Sequence, residues 1–266
     1  MRPFGGRLVN EGGSLLGRAR MVCHCLLIET GGELILVDTG YGIADVTTHT
    51  EQLERSFLRL SRPVLEVAET AAAQVKQLGY RIEDVRHIVL THLDRDHAGG
   101  LPDFPHAQVH VHDSEYRAMR NSPERARYLS HQFQHGPQWN LHRSSDGERW
   151  FGFEAVRELP GLPPGILLIP LPGHTRGHTG VAVRRSDGRW LLHAGDAYFY
   201  HGEMAERPHC TPMLRYFQSR VQVNGPLRRR NQERLHDLVT AHRGHVEVFC
   251  AHDPIELDRY TSTQDS

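Results

Sequence analysis

Apolar positions along the chain switch between two periods. Residues 21–30 and 33–38 read as two strands joined by the turn Thr30-Gly31-Gly32-Glu33, a hairpin signal. Val64, Val67, Ala71, Val75 and Leu78 then recur at a helical spacing over 64–78, and a strand follows over 87–91. A short strand over 108–112 precedes two helices, 113–120 and 123–133, punctuated by Pro105 and Pro123. The second half repeats the style, with strands near 166–171, 180–185 and 189–194, helices near 211–222 and 227–242, and a last strand over 246–251. This mixed order predicts an α/β protein whose sheets pack between helices. Two stretches, 42–63 and 134–150, are polar, irregular and rich in His or aromatic residues. They read equally as lids over a site or as plain surface insertions.

Composition narrows the class. A chain of 266 residues can bury one full core, so a single domain over 1–266 is expected. With 31 Lys and Arg against 32 Asp and Glu, and no basic run beyond Arg228-Arg229-Arg230, there is no footprint for nucleic acid; that run reads as a solvated helix face. No apolar run approaches the roughly 18 residues that span a bilayer, and Met1-Arg2-Pro3-Phe4-Gly5-Gly6 leads into no apolar leader. The expectation is a cytoplasmic protein with no membrane partner. Cys23, Cys25, Cys210 and Cys250 form no C-x-x-C pair, and Cys23 and Cys25 flank His24 on one strand face, as small buried residues of a reduced core would.

The chemistry is concentrated at strand ends. Thr91-His92-Leu93-Asp94-Arg95-Asp96-His97-Ala98-Gly99-Gly100 packs four metal-ligand candidates into six residues, directly after the apolar run Ile88-Val89-Leu90. Single candidates recur after later apolar runs, at His174 in Pro172-Gly173-His174-Thr175, Asp196 in Ala194-Gly195-Asp196 and His252 in Cys250-Ala251-His252. No G-x-S-x-G elbow is present, so neither Ser nor Cys is needed as a nucleophile.

Together with Val37-Asp38-Thr39-Gly40 and Gly177-His178-Thr179, these motifs stand in the order of the metallo-β-lactamase superfamily, which the chain resembles from Asp38 to His252. The resemblance implies an αββα four-layer sandwich with a two-metal site on one edge. It places His92, Asp94 and His174 on a first ion, Asp96, His97 and His252 on a second, and Asp196 between both. Asp38 would orient a ligand. His178 would pack behind the ligands. His193, on the strand before Gly195-Asp196, reads as a core or interface histidine. One departure stands out: the common pattern His-x-His-x-Asp-His is here His-x-Asp-x-Asp-His. Asp94 is a harder, anionic donor, which leaves Fe or Mn open beside zinc, the first choice.

Two ions about 3.5–4 Å apart would activate a bridging hydroxide and polarise a carbonyl or phosphoryl oxygen. Asp96 would orient that hydroxide and pass a proton to the leaving group. Tyr198 is a candidate donor to an oxyanion. The lactonase branch tends to place a Tyr three residues after the bridging Asp, where this chain has Phe199. His131, His135, Trp139 and His142 line the candidate lid. The expected function is binuclear hydrolysis of a small ester, lactone or amide, nearest the lactonase-like branch, with a small-molecule substrate as partner and the oligomeric state open. The alternatives are an iron-dependent thiol or persulfide oxygenase of the same fold and, behind it, a nuclease or phosphodiesterase.

Overall fold

A computed structural model describes residues 1–11, 14–48, 53, 55–123, 127–143, 149–154 and 159–261, the side chains of Ser56 and Thr261 apart. The chain divides into two compact units, Cys25–Arg143 and a second formed by Met1–His24 with Ser144–Ser266.

The unit Cys25–Arg143 is built on a five-stranded sheet of order β1-β2-β3-β4-β5. Its strands are β1 (Leu26–Thr30), β2 (Glu33–Val37), β3 (Val85–Val89), β4 (Gln108–His112) and β5 (Gln138–His142). The β1–β2 hairpin is antiparallel, and its turn places Gly31 and Gly32 at φ 21° and 129°, where side chains are disfavoured. The remaining pairs, β2–β3, β3–β4 and β4–β5, are parallel. Leu34, Leu36, Ile88, Leu90, Val109 and Val111 form a core with Ala72 and Val75 of the helix Ala71–Gln77. Ile35, Val37 and Val89 are buried as well, so β2 and β3 are covered on both faces, as their nearly unbroken apolar runs require.

The helix expected over 64–78 is shorter. Thr70 caps it by accepting from the Ala73 amide at 3.3 Å, and a separate 3₁₀ turn, Val67–Glu69, precedes it. The expected helix over 123–133 is replaced by a 3₁₀ turn, Ser130–Phe133, with 124–126 outside the described residues. The irregular stretch 42–63 contains two short helices, Ile43–Thr47 and Arg55–Ser61. The stretch 134–150 contributes strand β5, so Trp139 and His142 belong to a sheet and not to a lid; 144–148 lie outside the described residues. Trp139 packs against Tyr116 and Phe133, ring centroids 5.3 and 6.0 Å away.

The second unit carries a four-stranded sheet of order β11-β10-β9-β8, plus the small ribbon β6 (Arg149–Trp150) and β7 (Phe153–Glu154). The main strands are β8 (Ile166–Pro170), β9 (Thr179–Arg184), β10 (Trp190–His193) and β11 (Val246–Phe249). β8, β9 and β10 run antiparallel, whereas β11 joins β10 in parallel after the helices Pro212–Val221 and Gly225–Ala241. Asn224 caps the longer helix by accepting from the Leu227 amide at 3.0 Å. Leu235 and Leu238 from that helix close a core with Ile169, Ala182, Leu192 and Val248. Residues 22–24 form a strap, not the expected strand: the Val22 and His24 amides donate to the His252 and Ala251 carbonyls at 3.3 and 2.8 Å. Among the described residues, no helix is long and apolar enough to cross a membrane.

Candidate metal centre

In the unit Cys25–Arg143 the donors follow β3 directly. The chain leaves Val89 through Leu90, turns at Thr91–Leu93 and enters the short helix Arg95–Ala98, with Asp94 as its N-cap. Asp38, at the end of β2, holds this segment. It sits at φ 55°, a left-handed conformation that non-glycine residues adopt at a cost, and its amide donates to the Val89 carbonyl at 3.1 Å. Its Oδ1 accepts from the Thr91 amide at 2.8 Å, and its Oδ2 accepts from the Thr91 hydroxyl at 2.7 Å and from His97 Nδ1 at 2.8 Å. The Thr91 hydroxyl has given its proton to Asp38, so it accepts from His92 Nδ1 at 3.0 Å. The network therefore places the proton of both imidazoles on Nδ1 and the lone pair on Nε2, the arrangement a metal ligand needs. The two rings lie 4.0 Å apart, both buried.

The Val-Asp-Thr-Gly turn also grips the ligand helix. The Thr39 amide and hydroxyl both donate to the His97 carbonyl, at 2.7 and 2.8 Å. Gly99 and Gly100 permit the approach: a Cβ would lie 2.7 Å from the Gly40 carbonyl at Gly99 and 2.8 Å from the Thr39 carbonyl at Gly100.

Asp94 has a partner that its sequence position does not reveal. Arg127 Nε donates to Asp94 Oδ1 at 2.6 Å and Arg127 Nη2 to Oδ2, a fork on both carboxylate oxygens. Burial alone would lower the Arg127 pKa, but the Asp94 carboxylate holds it raised. Asp94 Oδ2 also lies 3.5 Å from His92 Nε2. Two donors on one tetrahedral ion, with bonds of about 2.0–2.2 Å, are about 3.4 Å apart. Asp96 is half-buried in the first turn of the ligand helix.

The second unit presents three further donors. His174 follows β8 in a turn pinned by Asn231 Nδ2 on the Pro172 carbonyl at 2.8 Å and by the Val223 amide on the His174 carbonyl at 3.0 Å. Gly173 sits at φ 139°, where a Cβ would lie 2.4 Å from the Arg228 amide nitrogen. Asp196 follows β10 and presents one oxygen to each of two histidines: Oδ2 lies 3.3 Å from His174 Nε2, and Oδ1 lies 3.1 Å from His252 Nε2. His252 Nδ1 donates to the Val22 carbonyl at 2.7 Å, which fixes its tautomer as well.

His178 is not placed to ligate. Its Nδ1 donates to the Leu171 carbonyl at 3.0 Å, and its Nε2 accepts from the Asp196 amide at 2.8 Å. It fixes the backbone at Asp196. His193, fully buried, donates from Nε2 to the His24 carbonyl at 2.6 Å and accepts the Gly195 amide at 3.1 Å. His131 bonds Asp45 at 2.7 Å and anchors the helix Ile43–Thr47.

The structure places Tyr198, expected as a donor to an oxyanion, with its ring fully buried and its single O–H donated to Glu256 at 2.9 Å. Glu256 also accepts the Cys250 amide at 2.7 Å, and burial pushes its pKa up to about 7. Burial likewise raises the Tyr198 pKa well above its ordinary value. Sequence reasoning missed Arg127 and Glu256, because the partner of each, Asp94 and Tyr198, is 33 and 58 positions away. The ring of Phe199 stacks on His252, with centroids 5.1 Å apart and planes at 20°.

Comparison with known proteins identifies the family. A family model described as the metallo-beta-lactamase superfamily matches residues 18–225. The chain belongs to the metallo-β-lactamase superfamily. It is similar to a Mycobacterium bovis protein named "Probable metallo-hydrolase", with 43% identity over 92% of this chain and 78% of that one. It is also similar to an N-acyl homoserine lactonase of Bacillus cereus, with 28% identity over 66% of this chain and 63% of that protein. Among solved structures, it resembles an N-acyl homoserine lactone hydrolase with N-hexanoyl-L-homoserine bound at its catalytic metal centre. That match has a TM-score of 0.69 at 20% identity and covers 97% of this chain and 93% of the other, a likeness that establishes the fold. This superfamily member is a metal-dependent hydrolase with the α/β fold of mixed sheets and flanking helices.

Proposed function

We propose that the two donor sets act together on two divalent ions, zinc first, and that the enzyme hydrolyses a small lactone, ester or amide. In this reading His92, Asp94 and His174 hold one ion, Asp96, His97 and His252 hold the other, and Asp196 bridges them. The observation that carries it is the Asp196 carboxylate, which offers its two oxygens to two different histidines at 3.3 and 3.1 Å, the spacing of donors sharing an ion.

Such a pair of ions supplies Lewis acidity and a water of lowered pKa. The residues do the rest. Asp38, Thr91 and the Val22 carbonyl keep three imidazoles in the ligating tautomer, so no reorganisation is needed when the ions arrive. Asp96 accepts the proton of the attacking water and returns it to the leaving oxygen or nitrogen. Phe199 places an apolar ring against His252, which excludes water from that side of the ligand. The lactone preference rests on the lactonase relatives and on the small-molecule product bound in the fold neighbour. The compartment we assign, the cytoplasm, rests on the cysteine pattern and is checked by cell fractionation.

The test is elemental analysis of the purified protein followed by a panel of lactones, esters, amides and phosphodiesters on zinc-loaded enzyme. Two zinc ions per chain and turnover of acyl lactones are expected. Loss of turnover in Asp96→Ala with zinc retained at the first site is also expected. No hydrolysis of any panel member by metal-loaded protein would overturn the proposal. The oxygenase alternative is not favoured, because it needs only a three-residue ligand face.

A further inference from the structure

Asp94 stands where the common pattern has a neutral histidine, and an uncompensated carboxylate there would add negative charge to the ligand set. The fork of Arg127 cancels that charge. Arg127 Nε meets Oδ1 at 2.6 Å and Nη2 meets Oδ2, so the carboxylate plane is fixed with Oδ2 turned to within 3.5 Å of His92 Nε2. The pair is largely buried, at 19% and 16% side-chain exposure, where an ion pair is screened little and is costly to break. A bracket under the loop holds the two segments together. The fully buried Glu115 accepts both the amide of Leu93, between His92 and Asp94, and the hydroxyl of Tyr128, next to Arg127, each at 3.1 Å.

We propose that Arg127 is a positioning residue that sets the metal preference of the centre. The Asp94–Arg127 pair stands in for the neutral imidazole, returns the ligand set to the charge of the common pattern and keeps it selective for zinc. This rests on Asp94 being a ligand in the reading above. It reverses the expectation that Asp94 by itself draws Fe or Mn. It also makes the two positions interdependent, because His at 94 is acceptable only without the cation at 127. A buried guanidinium deprived of its carboxylate would face the incoming dication.

The experiment compares wild type, Arg127→Met, Asp94→His and the double variant Asp94→His/Arg127→Met, all purified from medium with equal Zn, Mn and Fe. Metal per chain is read by elemental analysis and zinc affinity by chelator competition. Arg127→Met should raise the Mn plus Fe share about tenfold relative to zinc, the usual scale for a partner of a metal ligand. Asp94→His, although it restores the common motif, should lose zinc affinity about tenfold or more, and the double variant should recover it. Arg127→Lys keeps the charge without the fork, and should keep the wild-type metal ratio at reduced affinity; it carries the test if Arg127→Met fails to fold. Zinc binding by Asp94→His equal to wild type, or an unaltered metal ratio in Arg127→Met, overturns the role of Arg127. A wild-type protein that takes up no ion overturns the metal reading itself.

Discussion

Asp38 is not expected to touch an ion, yet it decides whether two ligands present a lone pair, and Asp38→Asn isolates that effect. The carboxylate accepts from three donors: the Thr91 amide on Oδ1, and the Thr91 hydroxyl and His97 Nδ1 on Oδ2. An amide has one acceptor and one donor end. If its oxygen faces the Thr91 hydroxyl and His97, its NH₂ opposes the Thr91 amide; if it is flipped, the NH₂ opposes His97 Nδ1–H and drives that proton to Nε2. Asn tolerates the left-handed backbone at φ 55°, so strain does not confuse the outcome. The first orientation leaves a buried donor opposed and the second leaves the His97 proton on buried Nε2, at about 1–3 kcal/mol of stability in either case. Zinc affinity should fall about 10- to 100-fold. Urea unfolding of the metal-free protein reads the first quantity, and chelator competition on the folded protein reads the second. Wild-type zinc affinity in a variant destabilised by that amount would refute the tautomer argument, since the network would then support the fold without preparing the ligands.

Three further outcomes are expected. Tyr198→Phe removes the donor to Glu256 at 2.9 Å and should cost about 1–3 kcal/mol of stability while leaving kcat unchanged; a large drop in kcat with KM constant would return Tyr198 to the reaction. Burial holds the pKa of His110 down at about 3, so the folded state keeps it neutral while the unfolded chain protonates it below pH 6.5. Its share of stability is therefore present above that pH and is lost towards pH 3 at about 1.4 kcal/mol per pH unit. Acid urea titrations of His110→Phe against wild type should differ in slope by about one proton, and equal slopes would contradict the burial cause. Chelation should lower Tm, because ions that bind only the folded chain add about 4 kcal/mol at a thousandfold excess over Kd. A Tm indifferent to chelator in a protein shown to carry metal would contradict binding to the folded chain alone.

The sheet strands with strong apolar runs were legible, and β4 was readable to the residue because Val109 and Val111 alternate with polar neighbours between clear turn signals. Strand β5 was not, because only Trp139 among its residues reaches the core while Leu141 is 42% exposed, so the edge strand carries almost no period. The helix before β3 was overextended because Val67, apolar and in phase, is in fact 44% exposed, and Thr70 breaks the run by capping. The donors proposed for the metals all stand in local motifs. Arg127 and Glu256 act on them or on Tyr198 from 33 and 58 positions away, a separation that only the folded chain closes.

Histidine shows why composition could not finish the assignment. The chain has 20 of them, and residue type alone does not separate ligand from scaffold. The destination of the second ring nitrogen does. His92, His97 and His252 each donate Nδ1 to an oxygen and direct the lone pair of Nε2 outward, which is preparation for an ion. His178 and His193 have both nitrogens engaged by the backbone, so they brace the turn at Asp196 and can bind nothing more. His87, His110 and His142 bond ring to ring across β3, β4 and β5, at 3.0 Å in each step. A chain of imidazoles can be satisfied only while its members stay largely neutral, because each shared bond needs one donor and one acceptor nitrogen. The same side chain thus serves as ligand, brace and acid-labile cross-strand link, and the oxygen or nitrogen that meets its far side determines which.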